Sequence, residues 1–146
     1  MRRFLGWVPS LMVVLGVVIG AQATMTVEDY TKVMKANAQA AGAMNKAIGS
    51  GAFADAKAQV AVLQKNYTIL QAYWAYLKKD DAVAIVKDGL TRLDAIDKIL
   101  GAATVDQMAA QAAAKEFGGN TCGACHKLYR EGDATTGFKF KAGVLP

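Results

Sequence analysis

Apolar residues recur every three or four positions in four successive stretches of the chain, the spacing of one face of an α-helix. Thr26 precedes the first stretch, with Asp29 three residues later as a reciprocal cap. The apolar positions are Val27, Tyr30, Met34, Ala38, Ala41, Met44 and Ile48; then Phe53, Ala56, Val60, Leu63, Tyr67, Leu70, Trp74 and Leu77; then Val86, Leu90, Leu93, Ile96 and Leu100; and finally Met108 and Ala112.

Short Gly, Ser and Asp segments separate these stretches, so the links between helices are short. We expect Thr104 to cap the fourth helix with Gln107 reaching back, and Gly118-Gly119 to interrupt that helix. The pattern predicts an all-α domain over residues 24–130, an antiparallel up-down-up-down four-helix bundle. In this topology the end of the fourth helix lies level with the start of the first. Residues 131–146 form a tail with a short extended piece around Phe138 and Phe140.

The first residues have the composition of an export signal. Two arginines precede a mostly apolar run from Phe4 to Gly20, and Ala21-Gln22-Ala23 is a small-x-small cleavage pattern. We expect a signal peptide over residues 1–23, cleaved after Ala23, and a periplasmic mature protein with no stable membrane insertion. A retained anchor is the alternative, although the run is short for a span of about 20 residues and contains Pro9.

The charge balance is mild once the leader is removed. Without Arg2 and Arg3, the 17 basic residues fall to 15 against 12 acidic ones, a net charge of +3. The basic residues are also dispersed along the chain, so the composition gives no support for nucleic-acid binding.

The chemistry of the chain is concentrated in Cys122-Gly123-Ala124-Cys125-His126. Two cysteines three apart with a histidine after the second form the attachment signature of c-type haem. Each thiol adds to one vinyl group of the porphyrin, and the imidazole binds the iron. On a helix these three side chains leave from one face. We therefore predict one covalently attached haem c, held by Cys122 and Cys125, with His126 as an iron ligand.

Three other sites use paired cysteines: a zinc site, a thioredoxin-like redox pair and a structural disulfide. Zinc needs about four ligands, whereas the chain has two Cys and one His in total, all in this motif. A thioredoxin-like pair is expected near a βαβ pattern, and nothing around residue 122 reads as a strand. A redox-active dithiol is the main remaining alternative to haem.

A methionine is a common second axial ligand that raises the potential of an electron-transfer haem. Met108 lies about five helical turns from His126, Met44 lies about 15 Å further along the first helix than Met34, and Met25 precedes that helix. We predict Met34 as the ligand, with core packing as the alternative role.

Other residues are weaker candidates for the haem pocket. Tyr30, one turn before Met34, either borders the pocket or packs in the core. Arg130, one turn after His126, either pairs with a propionate, lies against the imidazole or is a solvated surface residue. Tyr67, Tyr73 and Trp74 are expected as core or haem-wall aromatics.

The chain resembles the class II c-type cytochromes, which include cytochrome c′ and its low-spin, Met-ligated relatives. Residues 122–130 match the family pattern CxxCHxx(Phe/Tyr)Arg, and residues 30–37 carry a second, less specific likeness. Tyr30 stands at a position where family members often have Arg. The propionate contacts that the resemblance implies for that Arg are therefore not predicted for Tyr30. The resemblance implies a four-helix bundle, one haem and often a homodimer.

The resemblance also defines two functions, neither of them enzymatic. With Met34 bound, the protein is a low-spin periplasmic electron carrier that exchanges electrons with redox partner proteins. With Met34 unbound, the iron has an open site for nitric oxide or carbon monoxide. The first is our leading prediction and the second its alternative.

Overall fold

The structure, a computed structural model, describes residues 25–133, 135 and 137–145. The expected signal peptide and its cleavage site after Ala23 lie outside these residues. The described chain is mostly helical with little strand, as predicted. Its elements in order are α1 Val27–Ser50, α2 Phe53–Tyr76, α3 Asp80–Leu100, α4 Gln107–Phe117, a π-helical segment Gly118–Gly123, α5 Ala124–Tyr129, β1 Arg130–Glu131 and β2 Lys139–Phe140.

The boundaries of α1 follow from its sequence. Asp29 N donates to Thr26 Oγ1 (3.1 Å), and Thr26 N donates to Asp29 Oδ2 (3.3 Å), so the predicted capping box is present. The helix ends at Gly51, whose φ of 75° is left-handed and is adopted most easily by glycine.

Each long helix packs against its neighbours in the chain, and α1 also contacts α4. Their apolar faces meet in one core in which the largest fully buried side chains are Met44, Ile48, Val60, Leu63, Leu70, Trp74, Leu93, Ile96 and Phe117. No helix in the described part of the chain has both the length and the apolar content to cross a bilayer.

The start of α4 differs from the prediction. Asp106, rather than Thr104, caps the helix by accepting a hydrogen bond from Ala109 N (2.9 Å). Gln107 does not reach back to its own cap, because its Nε2 donates to the carbonyls of Ile48 (2.7 Å) and Gly49 at the end of α1.

With Gln107 turned toward α1, the next residue faces outward. Met108 is 81% exposed, and Ala112 one turn later is exposed as well. The buried face of α4 is formed by Ala110, Ala114 and Phe117 instead.

The buried face of α1 agrees with the predicted stripe at some positions and differs from it at others. The predicted positions that are buried include Tyr30, Met44 and Ile48. Val27 and Ala38 are exposed, whereas Asn37 is buried. Asn37 Oδ1 accepts a hydrogen bond from Asn66 Nδ2 of α2 (2.9 Å), which supplies the partner that a buried amide requires.

The predicted extended piece of the tail forms β2, which pairs antiparallel with β1 directly after α5. Lys141 N donates to Tyr129 O (3.0 Å) beyond the strands. The ring of Phe140 packs against Tyr30 at 4.9 Å and Trp74 at 5.9 Å between centroids, and Val144 is buried. The tail therefore covers an aromatic end of the helical body.

Candidate haem-attachment site

The cysteine motif lies on one helical path that runs from α4 through the π-helical segment into α5. Cys122 is in the π-helical segment, while Cys125 and His126 are in α5. Gly118 has helical dihedral angles (φ −60°, ψ −47°), so the predicted interruption at Gly118-Gly119 is a widening of the helix and not a break. Such π turns occur often at functional sites.

All three motif side chains are half-buried, and neither cysteine is in a disulfide. The hydroxyl of Tyr67 lies 3.4 Å from Cys122 Sγ, close enough for a hydrogen bond in which either atom donates. Tyr67 is buried on α2 and packs against the Phe117 ring at 5.4 Å. Its burial, followed by the adjacent Cys122, raises the pKa of the Tyr67 phenol, so the hydroxyl remains protonated.

Burial, followed by the charges of Cys122 and Asp81, raises the pKa of the Cys125 thiol to about 11. A thiol with this pKa is protonated at neutral pH. A redox pair needs only one acidic thiol, so Cys125 by itself does not decide between haem attachment and a redox-active dithiol.

His126 is held as the neutral imidazole. Burial, and secondarily the positive charge of Arg130, lowers the pKa of His126. Neutral imidazole is the form that ligates metals. The Arg130 guanidinium lies over the ring of Phe138, 3.9 Å from its centroid, and thus Phe138 of the tail is the aromatic partner of Arg130.

Tyr30 of α1 lies at the same end of the molecule as the motif. Its ring is 5.0 Å from the Tyr73 ring and 5.7 Å from the Trp74 ring. Burial, and secondarily the nearby Cys125, raises the pKa of Tyr30. Met34, one turn later, is half-buried and packs against the core. Tyr30 of α1 therefore lies near Cys125.

Two buried polar atoms at this end have no hydrogen-bond partner among the described residues. They are Thr121 Oγ1, immediately before Cys122, and Nε1 of Trp74, whose ring packs 4.7 Å from that of Tyr129. Buried polar atoms normally have a partner. Two free thiols and a neutral imidazole on one helical segment are the groups that a covalent haem requires. The two unpaired polar atoms at the same end leave hydrogen-bonding capacity for a bound group.

Two features of this end were not apparent in the sequence. Gly89 of α3 faces Tyr67 and Thr121 and allows both to approach. The phenol of Tyr129 donates a short hydrogen bond to Asp81 Oδ1 at the start of α3, which anchors α5. The sequence around the motif did not predict either contact, because Gly89 and Asp81 are far from the motif in the chain.

No group of three or more His, Cys, Asp or Glu side chains in the described part of the chain is arranged to hold a metal ion. Comparison with protein-family models, with curated proteins and with solved structures gives no match to this chain.

Proposed function

We propose that this protein is a monohaem c-type cytochrome that carries electrons in the periplasm. Cys122 and Cys125 would hold one haem c through thioethers, and His126 and Met34 would be the axial ligands of the iron. The observation that carries the proposal is the placement of both cysteines and the only histidine of the sequence on one helical segment, with free thiols and a neutral imidazole.

A bound haem supplies an iron that gains and loses one electron. The protein's part is to hold the group and limit its contact with water. His126 provides the neutral imidazole, and a Met34 thioether would favour the reduced state. Tyr30 and Tyr67 are buried aromatics beside the thiols, and Arg130 adds positive charge near the imidazole.

The proposal includes the up-down-up-down arrangement of the four long helices. Its support is the packing of α1 on α2, α2 on α3, α3 on α4, and α4 back on α1. The contact of Gln107 with the last carbonyls of α1 also fits, because antiparallel neighbours would bring the start of α4 to the end of α1.

Mass spectrometry of the exported protein tests haem attachment directly. We expect the mass of the chain from Thr24 plus one haem, and colour that stays with the chain after acid–acetone treatment. Colour that is fully extracted would show that no thioether forms. A protein with no added mass and no colour would refute the cytochrome and support the haem-free dithiol.

The visible spectrum of the ferric protein tests Met34. A weak far-red band reports a Met–iron bond, and we expect Met34→Ala to abolish it. Met108→Ala is the matched control, because Met108 is exposed at the start of α4. A band that survives Met34→Ala would exclude Met34 as ligand.

The gas-binding cytochrome is the second candidate, and one observation favours it. Met34 is half-buried and packs against the core, a role that it would keep beside an open iron site. This candidate requires that the wild-type protein lack the far-red band and that its ferrous form bind carbon monoxide.

A further inference from the structure

The tail brings a cluster of basic residues to the outer side of the cysteine motif. Lys127 is on α5, and Arg130 directly follows it. Lys139 is on β2, and Lys141 comes just after that strand. We call these four residues the basic patch. Pairing of Arg130 with Phe140 and of Glu131 with Lys139 fixes the strand beside the end of α5.

The basic patch keeps most of its charge. Lys141 Nζ donates to the carbonyl of Lys127 (2.6 Å), a neutral acceptor, so that contact does not cancel either charge. Lys139 pairs with Glu131 at 3.4 Å, but both side chains are largely exposed, and an exposed pair of this kind interacts weakly. Between residues 127 and 141 the sequence has four basic side chains and two acidic ones.

Two large apolar side chains are exposed in the same parts of the chain. Leu128, next to Lys127 in the sequence, is 48% exposed, and Phe138 is 55% exposed. Phe138 is held in place by the Arg130 guanidinium over its ring. An exposed aromatic residue packed against Arg is typical of a protein-binding surface.

Most of the net charge of residues 24–146 lies in this part of the chain. Residues 127–141 contribute four basic and two acidic side chains, or +2 of a total of +3. A positive surface attracts an oppositely charged partner during approach, which raises the association rate at low salt.

We propose that the basic patch, together with the exposed Phe138, is the docking surface for an acidic face of an electron-exchange partner protein. This rests on the proposed function, since the patch adjoins His126 and would bring a partner to the attachment site. The exposed aromatic ring under Arg130 favours a protein over an anionic membrane, because Arg and aromatic side chains are enriched at protein interfaces.

The first test does not depend on haem. The ¹⁵N-labelled protein is titrated with a ten-residue glutamate peptide, and we expect amide shifts confined to residues around 127–130 and 138–141 that disappear at high salt. The variant Lys127→Gln/Lys139→Gln/Lys141→Gln should lose them. The matched control Lys46→Gln/Lys65→Gln/Lys98→Gln changes net charge equally at exposed sites outside the patch and should keep them. Shifts spread over the surface, or equal losses in both variants, would overturn the proposal.

The second test measures electron transfer from the reduced holoprotein. One electron passes to hexacyanoferrate(III), which becomes hexacyanoferrate(II). At low ionic strength we expect the patch variant to slow this reaction by about threefold or more, and the control variant to change it by less than about 1.5-fold. A cationic cobalt(III) oxidant should show the reverse order. Equal rates in the two variants would count against the patch.

The outcomes separate the two proposals. A protein without haem refutes the cytochrome, yet the peptide titration still tests the patch. A different result is that the haem protein shows no binding to the glutamate peptide and sediments with phosphatidylglycerol vesicles, with the patch variant losing this sedimentation. That result would identify a membrane, and not a partner protein, as the occupant of the patch. Thermal unfolding followed by circular dichroism shows whether each triple variant is folded.

Discussion

Gly89 of α3 lies so close to Thr121 of the π-helical segment that a Cβ atom at position 89 would be 2.5 Å from Thr121 Cγ2. The same atom would be 2.7 Å from Cε1 of Tyr67. Helices α2 and α3 and the π-helical segment therefore meet at a point where residue 89 has room for no side chain larger than a hydrogen atom. The π-helical segment also carries Cys122.

We expect Gly89→Ala to destabilise the protein by about 1–3 kcal/mol, because the methyl group must displace Tyr67 or Thr121 from a packed core. Urea unfolding measures the change. The control is Gly42→Ala at an open position of α1, which should be stabilising by about 0.5–1 kcal/mol. Equal effects of the two substitutions would show that the approach at Gly89 is not tight.

Thr121→Val tests what the buried hydroxyl contacts. Because Oγ1 has no partner among the described residues, its replacement by a methyl group should leave stability unchanged or raise it by up to about 1 kcal/mol. Thr121→Ser keeps the hydroxyl but removes the methyl that faces Gly89, and should cost about 1 kcal/mol. Destabilisation of the holoprotein by Thr121→Val would instead indicate that the hydroxyl is bonded to the attached group.

Phe138 and Phe140 form a matched pair in the tail. Phe140 packs on Tyr30 and Trp74, so Phe140→Ala should cost about 2 kcal/mol in the free energy of unfolding. Phe138 is mostly exposed under Arg130, so Phe138→Ala should cost less than about 1 kcal/mol. Chemical denaturation of both variants provides the comparison. Equal costs would argue against the tail as a cover for the aromatic end.

Gln107→Ala should destabilise the junction of α1 and α4 by about 1–2 kcal/mol, because two hydrogen bonds to the carbonyls of Ile48 and Gly49 are lost. Hydrogen exchange should increase at the last turn of α1. Gln111→Ala, one turn later on the exposed side, is the control and should have little effect.

The hydrogen bond from Tyr129 to Asp81 predicts a pH dependence. This bond is the largest cause of the lowered pKa of Asp81, so the stabilisation is fully present above the unfolded value of 3.8 and is lost as the pH falls through the lower folded value. Tyr129→Phe should therefore cost about 1 kcal/mol at pH 7 and progressively less below about pH 4. Urea unfolding from pH 7 to pH 2.5 measures this, and a double-mutant cycle with Asp81→Ala isolates the pair. A difference that stays constant with pH would exclude the carboxylate as the partner.

Hydrophobic spacing was enough to predict that α1 to α3 are helices, and Thr26 marked the start of α1 because a capping residue acts on adjacent backbone. The starts of α2 and α3 have no side-chain cap that the sequence could have shown. The orientation of α4 could not be predicted. Its first turn is set by Gln107 bonding to carbonyls 58 and 59 residues earlier. In the sequence, the buried Ala110 and Ala114 also cannot be told from the other alanines of the helix.

The motif could be recognised in the sequence because it depends on local spacing, and haem attachment by its residues stays a prediction. Tyr67 was expected in the core or the pocket wall from its place on the apolar stripe of α2. Gly89 and Asp81 could not be linked to the motif, because they reach it only through the packing of α3. The role of Met34 remains a prediction, and the spectrum of Met34→Ala decides it.

The π-helical segment Gly118–Gly123 holds more residues per turn than the α-helices on either side. Because a π turn contains about one residue more than an α turn, the segment can lose one residue and become α-helical. Removal of Gly119 should therefore leave the orientation of α5 unchanged. A homologue one residue shorter between Phe117 and Cys122 would then present its thiols and imidazole to the same side. Alignments of distant relatives should therefore allow a gap at this point.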